Sequence, residues 1–451
     1  MCHLPPRHQY AMLRTALLLL LVGVASGGPC GPVVSGSYVR ANAKHGSTCT
    51  LRGAWLEVTI GIKVFKVTDH GAKGDGKTDD TKAIQATFDA AAKAGGGTVL
   101  FPAGKTYVTG PFKFSGSNTA LELPKGAVVK FANHGDSKPP EKLPGSQSGE
   151  LIYIEEHSDI AIVGGGVFDG QGEHFWPYYH DPKKDGPNML KADHSKHCLI
   201  QGVTFKDSPN HNLVMYCDHT EVDHVKILAP PSCEGCPGLD GTAGPSHNTD
   251  GVDIYGSPAY IHHCHIDVGD DNVAVHGRDL LVEDSYIGHG HGLSIGSVHS
   301  NAGVQNITFR NLVMNRTDNC AGIKTDAGSK NCHLSNVTWK NITLYDVHNV
   351  ISIDMFYGHG KNETTDCPIS DIKIIDVTAH GNKVVEGKKK GHGLSMGSIH
   401  CQKSCPCHGI ELENVVHVDK LADSDFHCTE AYGKWKNVSP PPQNLKHDKS
   451  Y

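Results

Sequence analysis

The feature that most restricts this chain is a short motif, apolar-x-x-apolar-x-apolar, that keeps returning along it. It stands at Ile200, Val203, Phe205, then at Val222, Val225, Ile227, then at Ile261, Cys264, Ile266. Further copies run from Val282 to Ile287, at Phe309, Leu312, Met314, at Trp339, Ile342, Leu344 and at Ile374, Val377, Ala379. The first two copies start 22 residues apart and Ile261 precedes Val282 by 21; loops lengthen the other intervals. Each copy is short, rich in β-branched residues and bounded by Gly, Asn or Asp, which reads as a strand entering a turn. One such strand cannot bury its apolar face. Coil stacked on coil buries a continuous core and pairs the backbone in parallel. The pattern therefore predicts an all-β chain, a single-stranded parallel β-helix. The competing solenoid, the leucine-rich repeat, wants leucines and a fixed Asn, whereas Val and Ile dominate here.

A solenoid exposes strand edges at its ends unless they are covered. Thr78 to Ala94 reads as a short amino-terminal capping helix, with Asp79 and Asp80 in its first turn, where the helix dipole favours acids. Ala83, Ile84, Thr87, Phe88, Ala91 and Ala92 form its apolar stripe, and Gly95-Gly96-Gly97 stops it. The β-helix is expected over 63–439. Residues 28–62 carry no strong pattern and read as a lead-in or propeptide; 440–451 read as a disordered tail. Lys383 to Lys390 reads as a solvated loop.

Arg7 and Arg14 precede an apolar run from Ala16 to Ala25, followed by small residues, which reads as a signal peptide over 1–27. The run is too short to span a bilayer, so a secreted, extracellular or cell-wall protein without a membrane anchor is expected. Fifteen cysteines less Cys2 leave an even number, which suits disulfides in an oxidising compartment. Zinc ligation by Cys233, Cys236 and the Cys401, Cys405, Cys407 cluster is the alternative. Sequons begin at Asn306, Asn315, Asn336, Asn341, Asn362 and Asn437. A formal charge of −7 argues against nucleic acid, while 31 histidines would turn the surface positive in acid and attract an acidic polymer. His262, His263 and His265 look like a metal site at first glance; strand alternation sends them to different faces, so they read as solvated.

Hydrolysis of a glycosidic bond usually takes two carboxyl groups, one giving a proton and one activating water. Asp270 and Asp271 are adjacent, Asp250 lies 20 residues earlier, and His291 lies 21 residues after Asp270. With a coil of that length, all of them fall on one face of neighbouring coils. Lys324 follows 33 residues after His291, one coil plus an insertion.

These segments, Asn248-Thr249-Asp250, Asp270-Asp271, Gly290-His291-Gly292 and Gly322-Ile323-Lys324, resemble in order the signatures of the polygalacturonase family, glycoside hydrolase family 28. The segments Asp69 to Asp80 and Gly165 to Gly172 resemble its entry and first coils, so the likeness covers roughly 64–438. It implies a right-handed β-helix that cuts α-1,4-galacturonosyl linkages of pectin with inversion. Asp270 would be the general acid, Asp250 and Asp271 would activate water, and His291 would tune the acid. Asn248, Lys324 and Tyr357 would bind substrate. No metal or organic cofactor is implied. The expected partners are pectic polysaccharide and proteinaceous pectinase inhibitors, and a monomer is expected.

The sequence departs from the family at Gly322, where an arginine grips a galacturonate carboxylate. Its loss points to a compensating cation, for which Arg278 and Arg310 are available, or to a branched or mixed pectin. Asn272 and Ile287 replace a common disulfide. A second Gly-His-Gly, around His392, falls out of order and reads as non-catalytic. A non-catalytic pectin-binding or decoy relative is the alternative function; a pectate lyase would need calcium and an arginine base.

Overall fold

A computed structural model describes residues 39–41, 48–132, 149–178, 186–230, 246–358, 363–381, 395–419 and 426–448. The expected signal peptide, Cys233, Cys236, Lys383 to Lys390, Asn362 and His392 lie outside these residues.

The repeated motif becomes a ladder. Ile200, Val222, Ile261, Val282, Phe309, Trp339 and Ile374 pair in direct parallel register from coil to coil. Phe205, Ile227, Ile266, Ile287, Met314, Leu344 and Ala379 do the same one turn further along each coil. All are buried. Each coil thus contributes to a first sheet, then across a tight turn to a second, and then to a third containing Val252–Ile254, Asp271–Val275, Gly290–Val298, Thr317–Asp326 and Asn349–Tyr357. The fold is a right-handed parallel β-helix. Inside it, like stacks on like: Phe168 on Phe205 at 5.1 Å and Phe309 on Trp339 at 5.4 Å between ring centres.

The turn between the first two sheets needs a left-handed residue in every coil. His224, His263, Asp284, Asn311, Asn341, Asp376 and Asn414 supply it, each with φ between 49° and 56°. Short polar side chains tolerate that conformation best, and their amides bond along the stack: Asn341 donates to Asn311 at 2.9 Å and Asn311 to Asp284 at 3.1 Å. The amides of sequon residues Asn306, Asn336, Asn341 and Asn437 are all engaged in such bonds.

The cap is an α-helix, Thr81–Lys93, burying Ile84, Thr87, Phe88 and Ala91 over the first coils. Asp79 and Asp80 stand just before its first turn rather than in it. The Asp80 carboxylate accepts from the Lys73 and Gly74 N–H groups, so it anchors the preceding loop.

Three other expectations need correction. The stretch 28–62 is not patternless: Thr48–Arg52 and Glu57–Gly61 form an antiparallel hairpin. Its Leu51, Val58 and Ile60 pack on Ala120, Ala161, Val163 and Leu199, on the outside of the first sheet. The alternation there is real but only five residues long on each side. The segment 440–448 is not a disordered tail, because Lys446–His447 pairs beside Tyr432 and Gly433 and Lys446 bonds Glu430 at 3.0 Å. His262 is not solvated; it is 1% exposed.

Among the described residues, disulfides join Cys198 to Cys217, Cys332 to Cys367 and Cys401 to Cys407, while Cys264 and Cys320 are buried thiols inside the helix. Cysteine here serves partly as a core residue. No helix among the described residues is long and apolar enough to cross a membrane.

Candidate active site

The acidic residues come from the loops that enter the third sheet. Thr249 Oγ1 accepts the Gly269 N–H at 2.8 Å, and the Gly251 N–H donates to the Asp271 carbonyl at 2.8 Å. Those two bonds lock the loop carrying Asp250 to the loop carrying Asp270 and Asp271. From the other side the Asn212 amide holds the Asp250 and Thr249 carbonyls at 3.1 and 3.2 Å. Asn272, at the position of the missing bridge, is fully buried and takes up the same task with hydrogen bonds: it donates to the Ile266 and His289 carbonyls and accepts the Gly292 N–H. The segment bearing His291 is thereby tied to the segment bearing Asp270.

The side chains converge. His291 Nδ1 lies 2.8 Å from Asp270 Oδ1 and 3.8 Å from Asp271 Oδ1, and its Nε2 lies 3.7 Å from Asp318. Asp271 is held on both oxygens, receiving Ser294 Oγ on Oδ1 at 2.6 Å and Lys324 Nζ on Oδ2 at 2.7 Å. His211 stands between Asp253, at 2.6 Å from Nδ1, and Asp250, at 3.6 Å from Nε2. Lys324 also lies over the Tyr357 ring at 5.5 Å, so the tyrosine, 43% exposed, forms a rim beside the carboxylates. Asn248, half-buried and left-handed at φ 53°, shapes the turn into Asp250.

The charges are strongly linked. Burial pushes Asp250 well above the usual carboxylate range; His211 opposes this, while Asp270, Asp253 and Asp271 reinforce it. Asp270 is also pushed up by burial, but the His291 charge and hydrogen bond, the Asp271 N–H and Lys324 outweigh it and leave its carboxyl at about 2. His291 is raised: burial works against its charge, and Asp270 and Asp271 prevail. For His211 burial is likewise overcome by Asp250 and Asp253, which raise it to about 10. The groups His211–Asp250–Asp253 and Asp270–Asp271–His291 bring donor atoms within 4.8 Å of one another, near enough to hold a cation or to pass protons.

Of the residues expected from the sequence, Asp250, Asp270, Asp271, His291 and Lys324 meet in one site, with Asn248 and Tyr357 at its edges. Lys324 donates one of its three N–H groups to Asp271. Arg310 pairs with Glu283 at 2.5 Å on the first sheet, and Arg278 lies beside Asp279 on the same strand, so neither reaches the cleft to replace the arginine missing at Gly322. Gly322 pairs between Ser294 and Ser352.

Sequence reasoning missed His211, Asp253 and Ser294, and also an aromatic row. Tyr216 stacks on Tyr255 at 4.0 Å and Tyr255 on His276 at 4.3 Å, on the coils that carry Asp253 and Asp271. Alternation holds the signal for Asp253. In Val252-Asp253-Ile254 the flanking residues fill the core, which turns Asp253 towards the cleft side.

The sequence model of Glycosyl hydrolases family 28 matches residues 98–438, and that of Rhamnogalacturonase A/epimerase, pectate lyase-like, matches 64–121. The chain is 30% identical over 374 residues to a polygalacturonase of Chamaecyparis obtusa, covering 78% of this chain and 66% of that one. With a polygalacturonase of Juniperus ashei it shares 31% over 378 residues, 78% of this chain and 67% of the relative. It thus spans about two thirds of the length of these curated relatives. A probable polygalacturonase of Arabidopsis thaliana is 30% identical, covering 80% of this chain and 75% of its own.

Among solved structures, the fold is similar to an exopolygalacturonase from Thermotoga maritima, with a TM-score of 0.61, 20% identity, and 87% of this chain and 93% of that one covered. An endo-xylogalacturonan hydrolase from Aspergillus tubingensis gives a TM-score of 0.65 at 19% identity, with 86% and 100% covered. With about three quarters of its length matched by the family 28 model, this chain belongs to glycosyl hydrolases family 28.

Proposed function

We propose that this chain, a pectin-degrading glycoside hydrolase by family, cleaves α-1,4-galacturonosyl linkages by a single displacement with inversion. The observation that carries this reading is the meeting of Asp250, Asp270 and Asp271 at two adjoining loops, with His291 on Asp270 and Lys324 on Asp271. Asp270 gives a proton to the leaving oxygen as the glycosidic bond breaks. Asp250 and Asp271 hold a water on the opposite side of the sugar, and Asp271, salt-bridged to Lys324, takes its proton.

In the free site the proton that Asp270 needs lies on His291. Substrate entering the cleft excludes water, and a low-dielectric surrounding disfavours the His291–Asp270 ion pair relative to the neutral pair. The proton then passes from Nδ1 to Oδ1, across a hydrogen bond whose heavy atoms are 2.8 Å apart. Sugar binding thereby arms the acid. Tyr357 and Asn248 contact the sugar, and Tyr216, Tyr255 and His276 offer it flat faces. The enzyme is exported, works as a monomer on cell-wall pectin, and is open to proteinaceous pectinase inhibitors.

Two observations favour variants of this reading. The raised Asp250 favours exchanged roles, with Asp250 as the acid. The absent side chain at Gly322 favours a branched or mixed pectin over plain polygalacturonate. The test is proton NMR of the first product from polygalacturonate and from a branched pectin. New reducing ends of inverted configuration support the proposal; an unsaturated, ultraviolet-absorbing product or no product overturns it.

A further inference from the structure

Away from the cleft, at the turn between the first and second sheets, Asp223 and His262 pair in register on adjacent coils, and His224 and His263 follow them as left-handed turn residues. His262 Nδ1 lies 3.1 Å from Asp223 Oδ1 and 2.8 Å from His263 Nδ1, and His263 Nδ1 lies 3.8 Å from the same carboxylate oxygen. The three donor atoms thus surround one point. His224 Nδ1 also contacts Asp223 Oδ1, and its ring stacks on His263 at 4.7 Å.

The surrounding bonds orient these donors inward. His262 Nε2 lies 3.0 Å from Glu221 Oε1. Glu221 is fully buried and its carboxylate accepts the Ala54, Leu56 and Trp55 N–H groups at 2.6, 2.6 and 3.1 Å, so it is the acceptor of the His262 proton. With Nε2 turned to Glu221, Nδ1 of this side chain, 1% exposed, faces an imidazole nitrogen and a carboxylate oxygen and is the nitrogen placed to ligate. The other Asp223 oxygen is held by the Gln201 amide at 2.7 Å, leaving Oδ1 for the histidines. A histidine whose second nitrogen is bonded to a carboxylate is the usual second shell of a metal site. His263 and His224 are 48% and 56% exposed, which leaves an open path to solvent.

We propose that Asp223, His262 and His263 form a binding site for a divalent transition-metal ion of the zinc class, with His224 or water as the fourth ligand. Two or three imidazoles with one carboxylate suit zinc, which takes nitrogen and oxygen ligands tetrahedrally at about 2.0–2.2 Å. Ligand atoms around such an ion lie about 3.3 Å apart, and the distances here bracket that value. Bound metal would also tether the amino-terminal hairpin, because His262 reaches the hairpin turn through Glu221. Gly53 is required in that turn: a Cβ there would meet Glu221 Oε1 at 2.4 Å.

The test uses the full-length secreted protein, freed of metal with a chelator and titrated with Co²⁺ and Zn²⁺, beside a His263→Asn variant. Asparagine keeps the left-handed turn and removes the imidazole. The wild type should take up one Co²⁺ with the intense visible bands of a tetrahedral ion, displaced by Zn²⁺, and at least tenfold more tightly than His263→Asn. Zn²⁺ should raise its melting temperature more than that of the variant. Superimposable titrations of the two proteins, or a wild-type cobalt spectrum without tetrahedral bands, would overturn the proposal. The cobalt spectrum of the wild type decides even where the variant folds poorly.

Discussion

Lys324 donates to Asp271 Oδ2 at 2.7 Å across the third sheet, although 53 residues separate the two in the chain. In the proposed mechanism the bond makes Lys324 part of the group that activates water. Replacing it by Met leaves a buried carboxylate without its cation, a change that costs about 3–5 kcal/mol in comparable buried pairs. Lys324→Met should lower kcat far more than it raises KM and should lower the denaturation midpoint. A clamp would show the opposite kinetic split.

The His291–Asp270 pair gives a signed pH dependence. Asp270 titrates at about 2, below its ordinary value of 3.8. Its contribution to stability is therefore complete above pH about 4 and disappears as pH falls through 2. Urea denaturation of wild type and Asp270→Asn should differ most at neutral pH and converge towards pH 2. His291→Ala removes the cation and leaves the burial, so the Asp270 carboxyl should rise, which carboxyl-carbon NMR would record. Turnover should fall about 10²–10⁴-fold, the range of a lost acid–base partner.

Gly322 separates two substrates. Arginine placed there adds a charged hydrogen-bond donor, worth about 1.5–3 kcal/mol, near Lys324. Its Cβ would come within 2.9 Å of the Leu293 carbonyl, so the strand must shift slightly. Gly322→Arg should lower KM for polygalacturonate about tenfold or more, at a small loss in melting temperature. On a branched pectin the same variant should lose activity.

The core ladder predicts a graded loss of stability. Phe309, stacked between Val282 and Trp339, is fully buried. Phe309→Ala should cost about 3–5 kcal/mol, read as a shift in urea midpoint, whereas Val313→Ala on the exposed side of the same strand should cost little.

The coil register was legible because one apolar position per coil must meet its counterpart, and Ile200 to Ile374 obey that spacing through every loop. The three aspartates and His291 were legible for the same reason. The amino-terminal hairpin was not, since its partners Ala161 and Leu199 lie more than a hundred residues away and its alternation is brief. His262 was misread because alternation gives a face but not what covers it; the hairpin turn over Glu221 closes that face. The Lys324–Asp271 bond was not legible, because a partner fifty residues distant leaves no local mark.

The most direct measurement compares Asp270→Asn and Asp250→Asn on polygalacturonate and on an aryl galacturonide whose leaving group needs no proton. The account predicts that Asp270→Asn is nearly inactive on the polymer yet recovers much of its rate on the aryl substrate, while Asp250→Asn stays slow on both. Recovery by Asp250→Asn instead, or full activity of either variant on the polymer, would contradict it.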